Sequence, residues 1–95
     1  MTDEEQHLRG RIARSERARA IIEDPLLVEA FDRLEAVYID GWRVTQSDDT
    51  AGREALWHRI KALSMLRADL ASVLQDGTVA RYQLAELTEP SDDQP

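Results

Sequence analysis

Apolar residues recur at helical spacing along most of the chain. From Pro25 onward the series Leu27, Ala30, Phe31, Leu34, Val37, Tyr38 and Trp42 advances in steps of three and four, which puts these side chains on one side of a helix. The pattern predicts a helix from Pro25 to about Val44, its buried face widened by Leu26 and Ile39. Asp32, Arg33, Glu35, Asp40 and Arg43 supply its wet side. A second series, Leu56, Ile60, Leu63, Leu66, Leu70, Val73 and Leu74, predicts another helix from about Thr50 to Gln75. Its spacing has no strand alternative.

Local signals bound these elements. Asp24-Pro25 combines a capping carboxylate with a residue suited to the first helical position. Residues 45–50 form a polar turn in which Ser47, Asp48, Asp49 and Thr50 are all competent caps. Asp76-Gly77 reads as a helix stop. Thr78 then caps a short last helix from Val79 to about Leu87, carrying Val79, Tyr82, Leu84 and Leu87. Residues 3–23 favour a helix by propensity, with Asp3, Glu4 and Glu5 at its positive end. Leu8, Ile12, Ala13, Ala18, Ile21 and Ile22 make no single stripe, and Gly10 weakens the middle. This segment is expected to fray at its start and to dock only through Ile21 and Ile22.

The expected organisation has three parts: an Arg-rich helical segment over 1–23, a helical hairpin over 24–87, and a disordered acidic tail over 88–95. The fold class is all-α, an antiparallel helical hairpin with an additional N-terminal helix and a short C-terminal helix. Arms of about 20 and 26 residues are about 30 and 39 Å long at 1.5 Å per residue. A lone hairpin leaves part of Leu26, Ile39, Trp57 and Leu66 wet. The N-terminal helix covers some of that surface and self-association covers more, so a homodimer or larger coiled-coil-like assembly is expected.

Composition narrows the reading. A chain of 95 residues forms one small domain with a modest core. Only 5% of the residues are aromatic and Gly and Pro are scarce, which disfavours a β-sandwich. Without cysteine there is no disulfide, thiolate chemistry or Cys-type zinc site. No apolar run reaches a membrane-spanning length, and the charged start lacks a signal peptide's apolar stretch. These features predict a cytoplasmic protein with no membrane association. The net charge of −7 is unevenly placed. Residues 7–20 hold five arginines, Arg9, Arg11, Arg14, Arg17 and Arg19, against the single acid Glu16, whereas from Glu23 onward acids outnumber bases 15 to 7.

Candidate chemistry is sparse. Nucleotide-binding loops, a nucleophile elbow and a calcium loop are all missing from the sequence. His7 lies in the charged N-terminal segment and is expected to be exposed. Glu54 and His58, four apart, fit an ordinary helical contact better than a metal site, since no third ligand stands at useful spacing. Asp48 and Asp49 coincide with a helix start and are explained by capping. No catalytic, metal or cofactor-binding residue is therefore assigned. The five arginines have a functional reading, contact with nucleic acid or an acidic partner, and a plainer one, pairing with the chain's own acidic body. Trp42 and Trp57 flank the turn, with Arg53 and Glu54 between them. The two tryptophans either pack across the turn or, with Arg53 and Glu54, form a partner-binding anchor.

The order Phe31, Leu34, Tyr38, Trp42, Thr45, an acidic turn, Arg53-Glu54, Leu56-Trp57 and a late Asp76-Gly77 resembles a family of small helical proteins. They are encoded by tailed bacteriophages and prophages, often near the head and packaging genes. The likeness covers about residues 24–87 and carries no catalytic residues with it. It implies a phage setting, in the host cytoplasm or the virion, and a non-enzymatic role in virion assembly, packaging or particle structure. Partners would then be a second copy, a phage head protein or a host protein. A second reading is a small acidic inhibitor of a host nucleic-acid-binding or defence protein, presenting carboxylates where phosphates would lie. A third is a DNA-binding accessory acting through the Arg-rich segment.

Overall fold

The computed structural model describes residues 2–88 and places them in three helices, α1 (Asp3–Ile22), α2 (Pro25–Arg43) and α3 (Thr50–Thr88). Among the described residues there is no strand, and the fold is all-α. Each helix start has the expected chemistry. Thr2 Oγ1 accepts the Glu5 backbone N–H at 3.1 Å, and Asp24 Oδ1 accepts those of Leu26 and Leu27 at 2.9 and 3.0 Å. Of the four competent caps in the turn, Asp49 is the one used: its Oδ1 accepts the Gly52 N–H at 3.0 Å.

The long helix α3 is the spine. Arg67 reaches Glu35 and Asp32 of α2 at 2.9 and 3.2 Å, and a β-carbon placed on Gly41 would lie 3.4 Å from Leu56. As α2 advances, its partners on α3 therefore recede, so the two run antiparallel. The same holds for α1, where Arg11 meets Asp76 and Gln83, while Ala18 and Ile21 lie beside Leu70 and Val73. Thus α2 covers the first half of α3 and α1 covers the second. They lie nearly end to end across a break at Glu23-Asp24. The molecule measures 73 × 25 × 24 Å, in keeping with a 39-residue α3 about 58 Å long at 1.5 Å per residue.

Two expectations are corrected. First, α3 runs unbroken through Asp76-Gly77, so there is no separate C-terminal helix. Gly77 does not take a positive φ, and Thr78 hydrogen-bonds back to the Leu74 carbonyl at 3.4 Å instead of capping a new helix. Gly77 serves close packing: it is buried against Ser15, and a β-carbon there would overlap the Ser15 side chain. Second, α1 does not dock merely through Ile21 and Ile22. Leu8, Ser15 and Ala18 are its buried residues, facing Gly77 and Ala80 on α3. Small side chains, which carry little hydrophobic signal, let the two backbones approach. Ser15 Oγ is fully buried but satisfied, donating to the Ile12 carbonyl at 2.7 Å.

The buried apolar core is small, comprising Leu8, Ala18, Phe31 and Ala80 among the described residues. Of the surface expected to stay wet, Leu26, Trp57 and Leu66 are exposed and Ile39 is half-buried. Leu34, Val37 and Trp42, expected in the core, are exposed as well, because α2 meets only α3 and a single neighbour covers a narrow stripe. Thr88 ends α3. The rest of the predicted tail lies outside the described residues.

Gly10 and Gly77 separate the two effects of glycine. Gly10 has open space around it, so Gly10→Ala should stabilise the fold by about 0.5–1 kcal/mol through helix propensity alone. Gly77→Ala gains the same propensity but forces overlap with Ser15, at a cost of about 1–3 kcal/mol. Urea unfolding followed by circular dichroism should show a net loss for Gly77→Ala. A gain there would show that α1 and α3 are not in close contact.

Candidate functional site

The turn between α2 and α3 forms one end of the molecule. Thr45 Oγ1 donates to the Trp42 carbonyl at 2.6 Å, closing the end of α2, and accepts from Arg53 Nη1 at 3.2 Å. That second bond fixes the Arg53 guanidinium, whose central carbon lies 4.1 Å from the centre of the Trp42 ring. A cation over an indole face is attracted by the ring's quadrupole, and Trp is the best such ring. Asp49 anchors the start of α3, so Arg53 and Glu54 in its first turn and Trp57 one turn later stand at defined heights.

The outcome is an open cleft of ≈370 Å³ lined by Trp42, Arg53, Glu54, Trp57 and His58. The four residues singled out from sequence for partner binding thus share one surface. The two indoles do not stack on one another. Trp42 is covered by Arg53, while Trp57 meets the His58 ring edge-on at 5.2 Å and has Lys61 Nζ 4.8 Å from its centre. Sequence reasoning treated His58 only as a helical neighbour of Glu54 and missed Lys61. The i,i+4 spacing of Trp57 to Lys61 was the signal that pointed to the latter. Trp42 is 37% exposed and Trp57 49% exposed, so both leave apolar ring surface open to solvent.

The cleft holds flat aromatic surface, one guanidinium, one imidazole and one carboxylate. That set suits a protein surface with an apolar anchor and a charged rim. Among the described residues no group of three His, Asp or Glu side chains stands close enough to hold a metal ion.

The five arginines separate. Arg11 makes a two-pronged pair with Asp76, Nη2 to Oδ1 at 2.7 Å and Nε to Oδ2 at 3.0 Å, and also reaches Gln83 at 3.3 Å. Arg19 pairs with Glu23 at 3.4 Å within its own helix. Arg9, Arg14 and Arg17 are exposed and form no ion pair among the described residues. A side-chain hydrogen bond to Asp76 raises the Arg11 pKa, and the same bond lowers that of Asp76 below the usual carboxylate value.

Comparison with protein-family models, with curated proteins and with solved structures gives no significant match. Among the described residues no helix is long and apolar enough to cross a membrane.

Asp76 supplies a pH test. Its folded pKa is depressed, so its contribution to stability is complete above the unfolded value, about 3.9, and disappears as pH falls through the folded value. Asp76→Asn should lower stability at neutral pH and flatten its fall in acid. Urea midpoints between pH 7 and pH 2 check this, and equal slopes for both chains would show that the pair contributes nothing.

Proposed function

We propose that the chain is a non-enzymatic helical interaction protein that captures a protein partner at its hairpin tip and associates with itself along its length. The observation behind this reading is the convergence of Trp42, Arg53, Glu54 and Trp57 on one exposed cleft. Trp and Arg are the residue types that most often dominate binding energies. Here both are oriented by bonds inside the chain, so little ordering cost remains on binding.

The resemblance to small phage proteins supplies the setting. In this reading the protein acts in virion assembly, packaging or particle structure, and its tip engages a head component in the host cytoplasm or the particle. The second reading, an acidic inhibitor of a host nucleic-acid-binding or defence protein, is favoured by the net charge of −7. A DNA-binding role ranks below both. Arg11 is already committed to Asp76 and Arg19 to Glu23, which leaves Arg9, Arg14 and Arg17 on an acidic molecule.

Trp57→Ala tests the tip. Because the ring is half-exposed, the substitution should cost only about 1–2 kcal/mol and leave the helices formed. It should abolish recovery of the partner in affinity purification from infected or lysogenic cells. A head protein in the wild-type eluate supports the assembly role, and a host nucleic-acid-binding protein supports the inhibitor role. Undiminished capture by Trp57→Ala would remove the tip as the binding surface.

A further inference from the structure

We propose that the exposed side of α1, together with the groove at the α1–α2 break, docks a short acidic segment of another protein that carries one large apolar side chain. The partner's carboxylates lie along Arg9, Arg14 and Arg17, and its apolar side chain enters the groove beside Ile21 and Leu26. This surface is separate from the tip and does not depend on it.

The structure divides the arginines of α1 by role. Arg11 turns to Asp76, and Arg19 pairs with Glu23. Arg9, Arg14 and Arg17 are exposed and have no ion-pair partner among the described residues. Glu16, the single acid between residues 6 and 22, is held by Arg81 at 3.4 Å. The exposed surface of this stretch therefore carries three unpartnered cations and one carboxylate that is already paired. Gly10, Ala13 and Ala20 stand exposed among the arginines. They add no bulk that would hold a partner's backbone away from the guanidinium groups.

Apolar surface adjoins these cations. Arg14 and Arg17 line a trough of ≈270 Å³ that reaches Ile21, Leu70 and Val73. Ile21 also lines the groove at the break, ≈450 Å³, with Leu26, Leu27 and Ala30. Ile21 is 46% exposed and Leu26 70% exposed. Two carboxylates border this surface. Asp24 is engaged by the Leu26 and Leu27 backbone N–H groups. Asp69 lines the trough but stands beyond ion-pair distance of Arg14 and Arg17.

Charge decides the class of partner. Arg9 to Arg17 spans only about 12 Å along the helix. Asp3, Glu4 and Glu5 stand at one end of this stretch, and Glu23 and Asp24 at the other. A nucleic-acid duplex carries one charge about every 1.7 Å, so its phosphates would run on over both acidic ends of α1, against a net charge of −7. A protein segment can confine its carboxylates to the arginine stretch and place an apolar side chain beside them.

NMR spectra of the full chain, titrated with a short synthetic peptide in which glutamates follow one leucine, test this. Amide shifts should concentrate between Arg9 and Ala30, while the indole N–H signals of Trp42 and Trp57 stay unmoved. The double variant Arg14→Glu, Arg17→Glu should weaken binding at least about tenfold, and so should Leu26→Asp. All three side chains are exposed, so helicity should be retained. Replacing the peptide's glutamates by glutamines should also weaken binding at least about tenfold, which decides the matter with no change in the chain. Absence of shifts at about 1 mM peptide overturns the proposal. So does equal binding of the glutamine peptide, or movement of the indole signals with α1 silent. Tighter binding of single-stranded oligothymidylate would give the surface to a phosphate backbone, and shifts of the same amides on simple dilution would give it to a second copy. Either result overturns the acidic segment.

Discussion

Between Ser15 and Gly77 the backbones of α1 and α3 come so close that a single added carbon on Gly77 would collide with the serine side chain. Most of the architecture depends on this approach. It holds α3 as one helix through a dipeptide that would otherwise end it, because Gly77 is needed as a flat helical contact and not as a turn. It draws α1 onto the second half of the spine, where Ala18 and Ala80 extend the same small-residue surface. Arg11 and Asp76 clamp the contact at its solvent edge. A helix that lacks a strong apolar stripe is thereby fixed by shape and by one two-pronged ion pair.

Placing α1 there has a consequence for the rest of the surface. With α1 and α2 arranged end to end, every cross-section of the molecule holds only two helices. Two helices bury one narrow stripe each, which leaves the flank of α2 apolar and wet. A third helix folded back over α2 would have covered that flank. The same geometry that completes α3 therefore leaves the molecule long and thin, with an exposed apolar flank.

The tip is governed by different forces. Its order comes from hydrogen bonds and ring–cation contacts in a chain segment with little burial. Asp49 starts α3, Thr45 closes α2, and Arg53 ties the two ends together across the Trp42 ring. The exposed aromatic surface therefore stands at one end of the molecule, clear of the apolar flank of α2.

The sequence by itself determined the helical class, the Asp24-Pro25 boundary and the set of competent caps in the 45–50 turn, from which the structure uses Asp49. Each of these is local: a cap, a period or a spacing of a few residues decides it. The sequence misled at Asp76-Gly77, where a glycine that fits a helix end was wanted for a close contact with a residue more than sixty positions away. It pointed to Ile21 and Ile22 alone for the docking of α1, because Ser15, Ala18, Gly77 and Ala80 bury little apolar area and leave no periodic trace. Only the tertiary structure decided these points, since the match of two backbones across a gap too small for a side chain is a property of the pair and of neither segment alone.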